Sequence, residues 1–374
     1  MAFLRAIFLR SFPIVFGPAL LAQTQANTGF ASLAAKADEA RVSNRLDEAV
    51  TLYSNAVAMR PDWAEGWWSL GTLYYDKDDY ARAAEALQKV VNLSPRAGAA
   101  LAMLGLCEAK LGRNEAALRH IEAGGALGGA EDPQLRRVML FTKGTLLLAA
   151  GQFGKAQDVL GALARDGSDR DELILALGRS VLGIMPSDAS APLDLLRRAG
   201  RAEYYAARRE IQNASREYGS LATDFPRMHN VQFAYGRFLL ANHEDDKAIP
   251  AFEREIENTP NHLLARLGIA GIKLVRDPAS GLPYAEKAVE LAPELPEAHY
   301  LLGALLLETG NSRRAIYELE TARAGAPKEA KIHFALGRAY ASVNRKGDAA
   351  RARAIFKQLN EQSEGEAYGK HPAP

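Results

Sequence analysis

Apolar residues recur along this chain at intervals of three and four, the spacing that gathers them on one stripe of an α-helix. From Trp67 the stripe runs through Leu70, Gly71 and Tyr74, breaks at a short polar turn, and resumes at Ala83, Leu87 and Val90 before Pro95. Two stripes joined by a short turn predict a pair of antiparallel helices. One pair cannot bury its apolar face alone, so neighbouring pairs must stack to do it together. The pattern therefore predicts an all-α chain dominated by helix, with essentially no strand.

The pairs recur in register. Shifted by 34 residues, Leu101, Leu104, Gly105, Ala117 and Ile121 fall in the same frame, and shifted back by 34 so do Ala37, Ala49, Tyr53, Ala56 and Pro61. In the second half the frame returns at Tyr235, Gly236, Leu239, Ala248, Phe252 and Pro260. It returns again at Leu302, Gly303, Leu306, Ala315, Leu319 and Pro327, and at Leu336, Gly337, Tyr340, Ala349 and Phe356. This resembles the tetratricopeptide repeat family, whose repeat of about 34 residues reads W-x₂-L-G-x₂-Y, then A-x₃-F, then P. About nine copies lie in frame across roughly residues 30 to 358. The resemblance implies a right-handed superhelical solenoid of helical hairpins.

The residue types at fixed places have physical reasons. Small residues such as Gly71 and Ala83 let the two helices of a pair approach closely. Asp78, Gly112, Gly151, Gly310 and Asn344 stand at the turn between them, where a left-handed backbone suits Gly, Asn or Asp. Pro61, Pro95, Pro226, Pro260, Pro293 and Pro327 close second helices, because proline cannot continue one. The frame fails between Gly144 and Ala202, which are 58 residues apart. Leu173–Gly183 reads as a first helix and residues 185–192 (MPSDASAP) as a loop. Two descriptions fit: an irregular pair that divides the array, or a degenerate repeat with a surface loop. The organisation expected is a signal at 1–22, a linker at 23–29, arrays at 30–184 and 193–360 around the loop at 185–192, and a polar disordered tail at 361–374.

Charge and composition narrow the function. Of 374 residues, 46 are Lys or Arg and 45 Asp or Glu, a formal net charge of +1. That balance, with no block of like charge, argues against a nucleic-acid partner. Cys107 is the single cysteine, so no intrachain disulfide forms. Arg5 and Arg10 precede an uncharged run from Ser11 to Ala22 that ends in small residues, the layout of an export signal with cleavage near Ala22. The run is 12 residues, against roughly 20 for a membrane-spanning helix, so no stable span is expected once it is removed. A bacterial periplasmic or secreted location follows as the expectation.

Chemistry is sparse. There is no G-x-S-x-G elbow, no S-x-x-K and no phosphate loop after a strand; the GGALGG run at Gly124–Gly129 sits between helices and reads as a linker turn. His299 and His333 hold matching places where Trp67 stands in another repeat, which reads as a core position filled by a ring. The acidic clusters Asp76/Asp78/Asp79 and Glu244/Asp245/Asp246 lack the Gly and Glu of a calcium loop, and helix capping accounts for them. Cys107 reads as a small buried hydrophobe. No enzyme, no cofactor and no metal is expected.

What remains is the surface. The resemblance implies binding of an extended peptide or helix in a groove lined by first helices. The place after the first packing residue of each repeat holds Trp68, Phe141, Phe233, Tyr300 and Phe334, and Tyr75 continues the same face; one turn on lie Arg237 and Arg338. Aromatic and Arg side chains dominate binding hot spots. The same aromatics could instead pack against the next repeat, and at this stage both accounts stand. Family members that clamp a terminal carboxylate use Lys and Asn here; this chain has aromatic or small residues at those Lys places, so that role is not supported. The function expected is a non-catalytic scaffold that binds a protein or peptide. The alternative is an accessory subunit of an envelope enzyme or glycan-processing complex, with sugar rings stacked on the aromatics.

Overall fold

The computed structural model describes residues 26–129 and 131–369, with side-chain surroundings for residues 29–129 and 131–362. The expected export signal at 1–22 lies outside the described residues. Among the described residues there are nineteen helices and no strand, and the chain divides into two compact units with their border between Gly200 and Arg201.

The first unit stacks four helical pairs: α1 (Ala26–Val42) with α2 (Leu46–Met59), α3 (Ala64–Asp76) with α4 (Tyr80–Leu93), α5 (Gly98–Lys110) with α6 (Asn114–Ala126), and α7 (Pro133–Ala149) with α8 (Phe153–Arg165). A further helix, α9 (Asp171–Leu182), follows, and the border falls within α10 (Leu193–Ala207). The second unit holds α11 (Ile211–Asp224) and then four pairs: α12 (Val231–Ala241) with α13 (Asp245–Asn258), α14 (Leu263–Arg276) with α15 (Pro278–Leu291), α16 (Pro296–Glu308) with α17 (Ser312–Gly325), and α18 (Ala330–Ser342) with α19 (Lys346–Gly369).

Turns and stops follow from the residues that occupy them. Asp78, Gly112, Gly151, Gly310 and Asn344 all have positive φ, between 59° and 85°, as expected of the inter-helix turn, and Asn44, Arg209 and His243 share that conformation. Each such turn lets the following N–H reach back to a first-helix carbonyl, as Asp79 does to Tyr74 at 2.9 Å and Asn311 to Leu306 at 2.8 Å. The six prolines each lie two residues past the end of a second helix. Asp79, Asp132, Asp277 and Asn311 accept N–H bonds at helix starts, which satisfies donors that the helix itself cannot.

Within a pair the small residue of the first helix receives a large one from the second. A Cβ on Gly71 would meet the Leu87 side chain at 2.7 Å, one on Gly144 Leu160 at 2.5 Å, and one on Gly303 Leu319 at 2.6 Å. The tightest crossing is between α9 and the first-unit part of α10. There, added Cβ atoms on Gly178 and Gly200 would meet the carbonyl oxygens of Leu196 and Ile174 at 2.0 and 1.8 Å. The GGALGG run does more than turn: the backbone at Gly129 lies against that of Gly98, so the end of α6 is seated on the start of α5.

The 185–192 loop lies within the first unit and is tied down. The Arg179 guanidinium donates to the carbonyls of Met185 and Asp188 at 2.6 and 3.1 Å, and Ser190 donates twice to the Asp188 carboxylate. Those two bonds hold the Asp188 carboxyl below its usual range. The last helix, α19, runs from Lys346 to Gly369. Among the described residues no helix is long and apolar enough to cross a membrane.

Candidate functional site

In a stacked array the first helices of successive pairs lie side by side. In the second unit α12, α14, α16 and α18 each touch the next. Along each of them the residues six and three before, one after, and four or five after the small residue (Gly236, Ala270, Gly303 and Gly337) share one face.

Of the residues expected on this face, the structure separates two groups. Tyr75 and Phe233 are core residues. Tyr75 meets the Tyr80 ring edge-on at 5.4 Å and lies in a cluster with Leu106 and Cys107; burial pushes its hydroxyl well above the ordinary value. Phe233 is held between the rings of Phe252 at 5.9 Å and His262 at 4.6 Å. Trp68, Phe141 and Tyr300 are half-buried, and Trp68 and Tyr300 pack onto core clusters. Phe334 is 50% exposed, its ring tilted at 49° to that of Phe356 with centroids 5.3 Å apart. The F-x₃-R pattern therefore serves two purposes, packing at Phe233 and surface at Phe334.

The cations on the face are engaged with it. The Arg237 guanidinium lies 5.8 Å from the Phe233 ring centre, and the Lys331 ammonium 4.8 Å from that of Tyr300. Lys331 also donates to Glu297, and Arg338 to Glu308, each at 2.6 Å. Between them α14 contributes only apolar side chains: Leu264 and Val275 are 54% and 86% exposed, and a Cβ on Gly271 would meet nothing within 4 Å. Leu264 and Val275 do not stand out in a sequence where aromatic and Arg residues mark the face; the hydrophobic spacing around Gly271 carries their signal.

Two polar devices fix the first helices in place. Trp67 Nε1 donates to the Pro61 carbonyl at 2.9 Å, and Arg266, His299 and His333 reach the carbonyls of Pro260, Pro293 and Pro327 at 2.6 to 2.8 Å. The ring position read as core filling is thus also a latch onto the proline that closes the preceding repeat. The second device is Glu255, which is 0% exposed. Its carboxylate accepts the N–H groups of Asn230 and Phe233 at 2.9 and 3.1 Å, capping α12 from α13. A buried carboxylate is tolerable there because the helix amino terminus presents unpaired donors and positive potential. Beside it His262 accepts the Ala265 N–H on Nδ1 at 3.1 Å and donates from Nε2 to Asn230 Oδ1 at 2.8 Å. Burial lowers its affinity for a second proton, and the neighbouring Glu255 charge offsets this in part.

The residues that could have carried chemistry are spent on structure. Asp79 accepts from the Arg82 backbone and side chain, which holds its carboxyl low, and Asp245 and Asp246 pair with Arg276. The Cys107 thiol is buried and pushed up to about 12. Among the described residues no three His, Cys, Asp or Glu side chains converge as metal ligands would.

The model of the tetratricopeptide repeat matches residues 34–95, 69–126, 199–262, 275–320 and 305–367, well over half the chain. Anaphase-promoting complex subunit 3 of Schizosaccharomyces pombe is 26% identical over 151 residues, 38% of this chain and 23% of that protein, so this chain spans under a quarter of the relative's length. Among solved structures, the MamA RS-1 ArsTM double mutant is 21% identical over 44% of this chain and 93% of its own, with a TM-score of 0.41. MamA 41-end from Desulfovibrio magneticus RS-1 is 23% identical over 44% and 92%, with a TM-score of 0.39. With its hairpin frame, its left-handed turns and its closing prolines all at the repeat's places, the chain belongs to the tetratricopeptide repeat family.

Proposed function

We propose that this protein is a non-catalytic scaffold of the cell envelope or secreted fraction that recruits another protein by seating one of its segments on the first-helix face. The observation that carries this reading is the row of large side chains left open on that face in the second unit: Leu264, Val275 and Phe334, beside half-buried Tyr300. A repeat array gains nothing in stability by leaving such side chains in water, whereas large apolar side chains exposed on one face suit an interaction site. The yeast relative is by its name a subunit of a complex, which accords with a recruiting role. Arg5, Arg10 and the apolar run to Ala22 support export.

The test pairs wild-type protein with Phe334→Asp as immobilised bait in native envelope extract. Partners are identified by mass spectrometry and their affinities measured with purified components. A protein held by wild type and released by Phe334→Asp, with helicity and melting of the variant intact, is the expected result. Equal retention by both overturns the assignment to this face, and selective retention of polysaccharide instead of protein overturns the partner class. Amino-terminal sequencing of native material is expected to start near Gln23; an intact Met1 refutes cleavage.

A further inference from the structure

Phe233 and Phe334 stand at the same place on α12 and α18, three residues before Gly236 and Gly337, each with an Arg four residues on. Each meets a Phe ring of its own second helix, Phe252 at 5.9 Å and Phe356 at 5.3 Å. Yet Phe334 is 50% exposed and Phe233 only 8%. The cover that Phe334 lacks comes from His262, the residue that caps α14, whose ring lies over Phe233 with centroids 4.6 Å apart. Two hydrogen bonds hold that ring, and together they fix its protonation. Nδ1 accepts the Ala265 N–H at 3.1 Å, and Nε2 faces Asn230 Oδ1 at 2.8 Å. A backbone N–H can only donate, so Nδ1 must keep its lone pair and the one ring proton sits on Nε2.

A second proton has only Nδ1 to go to, where it sets N–H against the Ala265 N–H. The cap of α14 is then lost and the ring must turn away, which takes it off Phe233. We infer, taking the first-helix face as the binding surface, that a proton on His262 uncovers Phe233, so that acid adds a second open aromatic ring to that face. The charged groups around the ring act in both directions. Glu255 of α13 attracts a proton through space, but its oxygens are committed to the N–H groups of Asn230 and Phe233. His229, before α12, has its ring centre 5.8 Å away and opposes a second positive charge. Arg237 of α12 lies by the same Phe233 ring, and Arg266 of α14 is turned to the Pro260 carbonyl. Burial makes the seated ring a weaker base than a free one, whose ordinary value is 6.5. The turned-out ring therefore takes the proton more readily, and the open form gains on the seated form by up to about tenfold per unit of pH below that value.

Fluorine NMR of protein labelled with 4-fluorophenylalanine tests this without any partner. The signals of Phe233 and Phe334 are assigned with Phe233→Leu and Phe334→Leu, and exposure is read as the displacement of each signal between H2O and D2O. At about pH 8 only Phe334 is expected to respond; at about pH 5 Phe233 is expected to respond as well, with the circular dichroism spectrum unchanged. His262→Asn, which keeps an acceptor for the Ala265 N–H but does not titrate, is expected to remove the pH dependence, and His229→Gln to preserve it. A Phe233 signal that ignores the solvent at about pH 5 overturns the inference. So does an acid response that persists in His262→Asn, or one that appears only as helicity is lost. An acid response of Phe233 as expected, alongside equal partner retention by wild type and Phe334→Asp, overturns the face as a binding surface and leaves His262 as the gate over Phe233.

Discussion

Replacing Gly178 by Ala would place a methyl group where the backbone of α10 already is. The added carbon would sit 2.0 Å from the Leu196 carbonyl oxygen, against 3.4–4 Å for ordinary contact, so α9 and α10 must separate by more than an ångström. Overpacking of this kind costs about 1–3 kcal/mol, and here the obstacle is backbone, which cannot rotate aside. Ala is the better helix former by about 1 kcal/mol, so the net expectation is a loss of up to about 2 kcal/mol. Gly271→Ala supplies the opposite sign from the same substitution, because its new carbon meets open space; a gain of about 0.5–1 kcal/mol is expected. Urea unfolding followed by far-UV circular dichroism reads both. With a denaturant slope of about 2 kcal/mol/M, Gly178→Ala lowers the midpoint of the first unit's transition by up to about 1 M. Gly200→Ala, whose carbon would lie 1.8 Å from the Ile174 carbonyl oxygen, behaves alike. The double variant falls short of the sum, since helices parted for one methyl already accommodate the other. A Gly178→Ala midpoint at or above wild type would refute the close crossing.

Three further outcomes are expected. Phe233→Ala loses about 3–5 kcal/mol of stability, whereas Phe334→Ala loses about 1 kcal/mol or less; similar thermal melts for the two would contradict their different burial. Glu255→Gln weakens the two charge-assisted bonds that cap α12 and lowers stability by about 1.5–3 kcal/mol, and an unchanged melt removes that role. His262 is needed neutral, and burial sets its folded proton affinity below the ordinary value of 6.5. The unfolded chain therefore binds the proton more readily. This contribution is complete above pH 6.5 and declines as pH falls below it towards the lowered folded value. His262→Asn, which keeps an acceptor for the Ala265 N–H, is expected to flatten that part of the stability-pH curve; identical slopes would show that another group governs it.

The frame was legible because everything that sets it is local. Asp78 and Asn344 announce left-handed turns by their own backbone preferences, and each closing proline acts on its own helix. The face was legible as a set of positions but not as a set of exposures. Phe233 and Phe334 share one pattern, yet Phe233 is covered by His262 at the start of the next repeat, while α19 runs straight on past the corresponding place. Whether a ring is covered depends on a segment some thirty residues away, and spacing around the ring carries no trace of it. The latches escaped for a related reason. Trp67, Arg266, His299 and His333 look unlike one another, and what they share is an N–H aimed at one carbonyl. The sequence pattern records size and polarity, not direction.

The latches bear on how such a protein can be cut and recombined. Each joins a residue to the proline six places before it, so the bond straddles the seam at which one would naturally divide repeat from repeat. A module excised from proline to proline parts each of these donors from its acceptor. A module excised from hairpin turn to hairpin turn, at Gly310 or Asn344, keeps donor and acceptor on one fragment. The exchangeable piece of this architecture is then the second helix of one repeat with the first helix of the next. Chimeras joined at the turns should inherit their alignment from the parent, whereas chimeras joined at the prolines must build it anew.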